Sequence, residues 1–186
     1  MAERTLVLLK PDAVQRGLVG RITARLEDRG LKIVGLKLMH MDMALARRHY
    51  AEHVDKPFFP EVAGFMTSRP IVAMAVEGDN AVDMVRTSMG ATNPRNAAPG
   101  TIRGDWAVDI GKNLIHGSDS PESAARELPI FFNEAELFAY EREADCWVYW
   151  HEFLAGPPHL FEPVEVPLLL AEHVDDGVSE IEQHPA

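Results

Sequence analysis

Two short, almost unbroken apolar runs constrain the fold most: Thr5 to Leu9, closed by Lys10-Pro11-Asp12, and Pro70 to Val76, closed by Glu77-Gly78-Asp79. Each is too short for a buried helix and ends in turn residues, which is the pattern of a buried strand. Leu31 to Met39 mixes β-branched and apolar residues with Lys32 and Lys37 and reads as another strand, bulged near Gly35. Between the first two strands, Leu18, Val19, Ile22 and Leu26 share one helical face, with charged residues elsewhere and Gly30 as a stop. Ala44–His53, Phe58–Thr67 and Asn80–Met89 are expected to be helical, the last capped by Asp79. Gly90 to Gly100 has no periodicity and reads as a long loop. Asn113 to Gly117 is a brief strand, and Ser120-Pro121-Glu122 opens a further helix with a capping hydroxyl, a first-turn proline and a dipole-compatible acid.

That order, β-α-β followed by α and β-α-β, implies an α+β fold of the ferredoxin-like, split-βαβ kind. Its four-stranded antiparallel sheet should be covered by helices on one face. With 186 residues, 46% of them hydrophobic, the chain can bury one core without staples. The net charge of -11 is concentrated at the end: residues 151–186 hold eight acids and no Lys or Arg. Five prolines also fall after Trp150, so residues 1–150 are expected to form the domain and 151–186 an acidic extension. The extension is expected either to wrap a neighbouring subunit through Val164 to Leu170 or to remain disordered. The near-neutral body argues against broad nucleic-acid binding. No apolar stretch is long enough for a membrane span, and the start, with only Leu6 to Leu9 apolar, does not read as a signal peptide. A lone Cys146 suits a reducing compartment, and the cytoplasm is the expected location.

The chemistry concentrates in Asn113-Leu114-Ile115-His116-Gly117-Ser118-Asp119-Ser120, where a histidine stands at a strand-to-helix junction. A neutral imidazole is a competent nucleophile near pH 7, and a carboxylate on its other nitrogen would steady the cation that forms. Glu127, two turns along the helix, is the expected orienter, and Ser118 supplies a hydroxyl. Gly117 is read as removing bulk beside the imidazole, and the helix start as an anion receiver. Lys10 at a strand end, Arg86 late in a helix and Arg103 after the loop are plausible convergent clamps on phosphate. The other histidines are read as solvated or satisfied; His49 and His53 are spaced i, i+4 but lack a third ligand. No P-loop, Rossmann fingerprint, protein-kinase signature or serine-hydrolase elbow is present.

Taken together, Leu9-Lys10-Pro11-Asp12-Ala13-Val14-Gln15-Arg16-Gly17, Gly100-Thr101-Ile102-Arg103-Gly104-Asp105 and the His116 segment closely resemble the nucleoside diphosphate kinase family. Tyr50, Lys56-Pro57-Phe58-Phe59, Arg86, Ala91-Thr92-Asn93-Pro94 and Asp145-Cys146-Trp147-Val148-Tyr149 follow in family order, so the likeness spans about residues 3–150. The resemblance implies a phosphorylated His116 supported by Glu127 and Ser118, with Tyr50 and Lys10 near the transferred group. It implies that Arg86, Thr92 and Arg103 hold the phosphates and that Phe58 stacks on the base beside Val62. Asn113 and Lys10 would contact the sugar, with Ile110 along it. It further implies ATP and other nucleoside tri- and diphosphates as substrates, with Mg2+ arriving on the nucleotide and reaching Asp119 at most through water. A homo-oligomer, hexamer or tetramer, is the implied assembly. Trp106 and Ala91 depart modestly from the pattern, and the tail departs most. A catalytically silent nucleotide-binding or scaffold protein on the same fold remains the alternative, since fold alone does not guarantee activity.

Overall fold

The computed structural model describes residues 2–148, and the body discussed below ends at Asp145. The tail and its stretch from Val164 to Leu170 lie outside the described residues. β1 (Glu3–Leu9) runs into α1 (Pro11–Gln15) and α2 (Val19–Glu27), then β2 (Lys32–Met39). α3 (Met43–His49), a 3-10 turn at Ala51–His53 and α4 (Phe59–Thr67) lead to β3 (Ile71–Gly78) and α5 (Ala81–Met89). After the loop come α6 (Ile102–Trp106), β4 (Ile115–Gly117) and α7 (Pro121–Phe131). The four strands lie in the order β2-β3-β1-β4 with every neighbouring pair antiparallel, which is the expected ferredoxin-like sheet.

Both faces of this sheet are covered, not one. Val7, Leu9, Val72, Met74 and Val76 pack with Ala13 of α1, Ile22 and Leu26 of α2 and Val85 and Met89 of α5. Leu6, Leu8, Ile71, Ala73 and Ala75 turn the other way, onto Ala46 of α3, Ala63 and Met66 of α4 and Phe131 of α7. Side chains alternate across a strand, so a central strand buried on both faces must be apolar at every position. This explains why β1 and β3 are continuous apolar runs. The expected bulge is present, with the β2-β3 register shifting between Ile33 and Gly35.

Three local expectations change. Lys10-Pro11-Asp12 is a helix start rather than a turn, with Pro11 in the first turn, where a missing N–H costs nothing. The cap position of α5 falls at Asn80 rather than Asp79, and the Glu3 carboxylate accepts the Val82 N–H at 2.8 Å from across the sheet. The loop from Gly90 carries a 3-10 turn at Pro94–Asn96 and ends in α6, whose cap Thr101 accepts the Gly104 N–H.

Gly117 also serves a different purpose from the one expected. His116 and Gly117 are consecutive on β4 and so face opposite sides of the sheet. A Cβ at Gly117 would sit 2.7 Å from Val85 Cγ1 and 2.8 Å from Met89 Sδ, so the glycine admits α5 and not the imidazole. Gly117→Ala is expected to destabilise the fold by about 1–3 kcal/mol through overpacking, measured as a lowered midpoint of urea unfolding.

Candidate active site

Antiparallel pairing of β1 with β4 sets Leu8 opposite His116 and Leu9 opposite Ile115. Lys10, the next residue along β1, is thereby carried to the entrance of β4. Its backbone N–H donates to the Leu114 carbonyl at 2.8 Å, and its Nζ donates to Asn113 Oδ1 at 2.7 Å. The turn into β4 is tight: Leu114 is buried with φ of 71°, a region side chains with a Cβ rarely adopt. Asp12 Oδ2 holds it by accepting the Leu114 N–H at 3.0 Å. The Lys10-Pro11-Asp12 segment thus pins the strand that presents the histidine, a role that sequence reasoning missed.

Behind His116, Glu127 Oε2 lies 3.1 Å from the imidazole Nε2 and accepts the Ser118 hydroxyl at 2.8 Å. Burial works to raise the Glu127 carboxyl pKa, but the hydrogen bond and charge of His116 and the Ser118 hydroxyl outweigh it, and the net shift is downward. A carboxylate acceptor at Nε2 selects the tautomer with the proton there. Nδ1 then keeps its lone pair, on a side chain that is 25% exposed at the cavity wall.

The imidazole opens onto a cavity of about 940 Å³. Lys10, Tyr50, Phe58, Val62, Arg86, Thr92, Arg103, Ile110, Asn113, Asp119 and Glu127 all line it, from α4, α5, α6, α7 and the connecting segments. Ser118 is wholly buried behind Glu127. At the start of α7, Ser120 Oγ accepts the Ser123 N–H, and neither residue lines the cavity, although Asp119 beside them does. Phe58 is 47% exposed, a half-bared ring at the cavity rim.

The cations differ in their freedom. Arg103 is buried and its guanidinium donates to the carbonyls of Gly90, Asn113 and Ile115, so much of its hydrogen-bonding capacity braces the loop and the strand entrance. Burial, then the Arg86 charge, brings its pKa down to about 10. Lys10 is pushed down to about 8, by burial first and by Arg103 second, against the opposing pull of Asp12. Asn113 links this cluster to the loop by donating Nδ2 to the Thr92 carbonyl at 2.8 Å. The Tyr50 hydroxyl is pushed well above its ordinary range by burial and by the Glu127 charge.

His49 is the residue that sequence reasoning placed wrongly. It is neither solvated nor satisfied: it is 5% exposed, and neither ring nitrogen has a hydrogen-bond partner. Its ring stands at 90° to that of His116, with centroids 4.8 Å apart, and also packs edgewise on Tyr50 and Phe131. Burial, followed by the His116 charge, pushes its pKa down to about 3, so it is a neutral wall beside His116. The only signal in the sequence is its position next to Tyr50 at the end of a helix.

A solvent-reachable imidazole nitrogen, a carboxylate on the far nitrogen, clustered cations and an aromatic rim are the parts that phosphoryl capture requires. The family described as nucleoside diphosphate kinase matches residues 3–137. A nucleoside diphosphate kinase of Roseiflexus castenholzii is 58% identical over 147 residues, covering 79% of this chain and 99% of the relative. The solved structure of a halophilic nucleoside diphosphate kinase from Halobacterium salinarum, in complex with CDP, superposes with a TM-score of 0.78 at 54% identity. It covers 80% of this chain and 99% of its own. A nucleoside diphosphate kinase family protein from Babesia bovis gives a TM-score of 0.77 at 43% identity, covering 79% and 99%. With its fold, its site and this extent of likeness in agreement, the chain belongs to the nucleoside diphosphate kinase family.

Proposed function

We propose that this phosphotransferase moves the γ-phosphoryl group of a nucleoside triphosphate, typically ATP, to a nucleoside diphosphate through a phosphorylated His116. The observation that carries the reading is the Glu127 carboxylate at His116 Nε2, 3.1 Å away, with Nδ1 left open. In the first half-reaction the Nδ1 lone pair attacks the γ-phosphorus and the bond to the bridging oxygen breaks, so the diphosphate leaves with that electron pair. The ring becomes a cation with its Nε2 proton held, and Glu127 stabilises that charge where it develops. A second diphosphate enters the same cavity and its terminal oxygen takes the phosphoryl group back.

Lys10, Arg86 and Arg103 supply the positive charge that phosphates need, with Thr92 beside them and Tyr50 next to the transferred group. Phe58 offers a ring face to any base, with Val62 nearby, while Asn113, Lys10 and Ile110 flank the sugar. Stacking without hydrogen bonds to base edges accepts purines and pyrimidines alike. The residues present suit Mg2+ held mainly by nucleotide phosphates: Asp119 is a carboxylate on the wall of the cavity that the cations also line. Asp119 would hold it at most through water, and the ion would supply neutralisation of the phosphate charge.

The catalytic part is read as residues 1–150, since the relatives' full length is covered without the tail. Truncation after Trp150 is expected to leave transfer intact in the same assay. A homo-oligomer is supported by Leu36 and Leu38 on the edge strand β2, 52% and 65% exposed, which form an apolar strip that a second copy can cover. No described helix is long and apolar enough to cross a membrane, and a cytoplasmic site of action suits the chemistry.

Terminally labelled ATP should place its label on the protein in an acid-labile, alkali-stable linkage, and added GDP should remove it as GTP. Nucleotide binding without labelling would select the silent scaffold instead. The pH dependence adds a second check. Lys10 ionises at about 8 in the folded protein, so its clamp loses charge as pH rises through that value. The kcat/KM profile for nucleotide is expected to fall on an alkaline limb near pH 8, and Lys10→Arg to move that limb upward, because guanidinium stays charged.

A further inference from the structure

We propose that His49, His116 and Glu127 form a binding site for a divalent transition-metal ion of the zinc type, distinct from the magnesium carried by nucleotide. One ligand atom from each residue lies within 4.8 Å of the other two, and all three residues line the cavity. Bonds of about 2 Å to zinc place tetrahedral ligand atoms about 3.3 Å apart. His116 Nε2 and Glu127 Oε2, at 3.1 Å, already meet that spacing. His49 needs a side-chain shift of at most roughly 1.5 Å to complete the set.

The independent pointer to a ligand is His49 itself. A buried polar nitrogen without a partner costs about 1–3 kcal/mol, and here both nitrogens of one ring, 5% exposed, have none. They stand beside another imidazole and a carboxylate, and all three residues line the cavity, from which water or a phosphate oxygen can serve as fourth ligand. Two imidazoles and one carboxylate are the donor set of a catalytic-type zinc site and suit Zn2+, Ni2+ or Cu2+; Mg2+ prefers oxygen alone.

Occupancy has a chemical consequence that rests on the phosphohistidine reading above. The ion takes the Nε2 lone pair and the Glu127 charge together, and the Nε2 proton moves to Nδ1, whose lone pair is then no longer free to attack phosphorus. A dication then sits where phosphorylation would develop further positive charge. Metal binding and phosphorylation of His116 therefore oppose each other, and the opposition is reciprocal.

The test uses the full chain, first freed of metal, and Co2+ as a spectroscopic probe. The expected result is one intense visible band of four-coordinate Co2+ that Zn2+ removes and Mg2+ does not. His49→Phe should abolish it and His53→Gln should leave it unchanged. Glu127→Gln, which keeps both imidazoles, should weaken binding by about tenfold or more, and it decides the matter if His49→Phe fails to fold. Absence of the band from the wild-type protein, its persistence in His49→Phe, or an unchanged Co2+ affinity in Glu127→Gln overturns the site. Zn2+ at one equivalent should also slow labelling of the protein by ATP, and an unchanged rate with the site loaded overturns the antagonism. Labelling of the metal-free protein separately tests the phosphohistidine reading, so the two cannot fail indistinguishably.

Discussion

His116→Ala is expected to form no phosphoenzyme and to transfer phosphoryl groups at least about 10⁴-fold more slowly than the wild-type protein. The size follows from the absence of a substitute. Of the two other imidazoles that line the cavity, His49 is buried with its nitrogens closed off from solvent, and His53 stands at the rim against the Phe58 ring, 5.6 Å between centroids, away from the Glu127 carboxylate that supports His116. The Ser118 hydroxyl is buried and committed to Glu127, and the Tyr50 hydroxyl is held far from ionisation by burial. Nucleotide affinity should change little, because the clamp of Lys10, Arg86 and Arg103 and the ring of Phe58 remain. Rapid acid-free quenching with labelled ATP, beside a binding titration, separates the two quantities. Lost binding together with lost labelling would mean that the cavity had collapsed and would call for His116→Asn in its place.

Glu127→Gln is the second large effect, a fall of about 10²-fold in the rate of His116 phosphorylation with the KM for nucleotide nearly unchanged. Glu127 accepts from both His116 and Ser118. The amide keeps the shape but removes the charge that balances the developing imidazolium, and it presents a donor where two donors already point. Its pH signature is separable. The folded carboxyl pKa lies below the usual 4.5, so Glu127 contributes stability that is present above that value and is lost as pH falls through the lower, folded one. The Gln variant should lack that acid-side loss, which unfolding midpoints measured from neutral pH downward would record.

Elements whose signal is local were legible in the sequence. β1 and β3 are apolar at successive positions because helices cover both sheet faces, and α7 begins where Ser120 and Pro121 announce it, with the Ser120 hydroxyl accepting the Ser123 N–H. α6 escaped notice because five residues cannot display a helical period. The pairing of Glu127 with His116 was legible for a similar local reason, since one short strand and one helix start separate them. What depends on register was not. Lys10 reaches Asn113 across the β1-β4 pairing, and nothing near residue 10 encodes that partner. Asp12 was passed over because its acceptor role serves a strained Leu114 distant in sequence. His49 was misread because burial and lack of a partner are properties of the packed α3-α7 interface, invisible in the string His49-Tyr50. Arg126 likewise meets Glu52 across the cavity rim, linking α7 to the segment that carries Phe58.

One measurement reaches the atom that carries the phosphoryl group. Brief incubation of the protein with ATP, followed by phosphorus and nitrogen NMR of the denatured, alkaline phosphoenzyme and peptide mapping, locates the phosphoryl group. With Nε2 held by Glu127 at 3.1 Å, the expected product is a single phosphohistidine at His116, bonded through Nδ1. A phosphoryl group on Nε2, or on any residue other than His116, would contradict it.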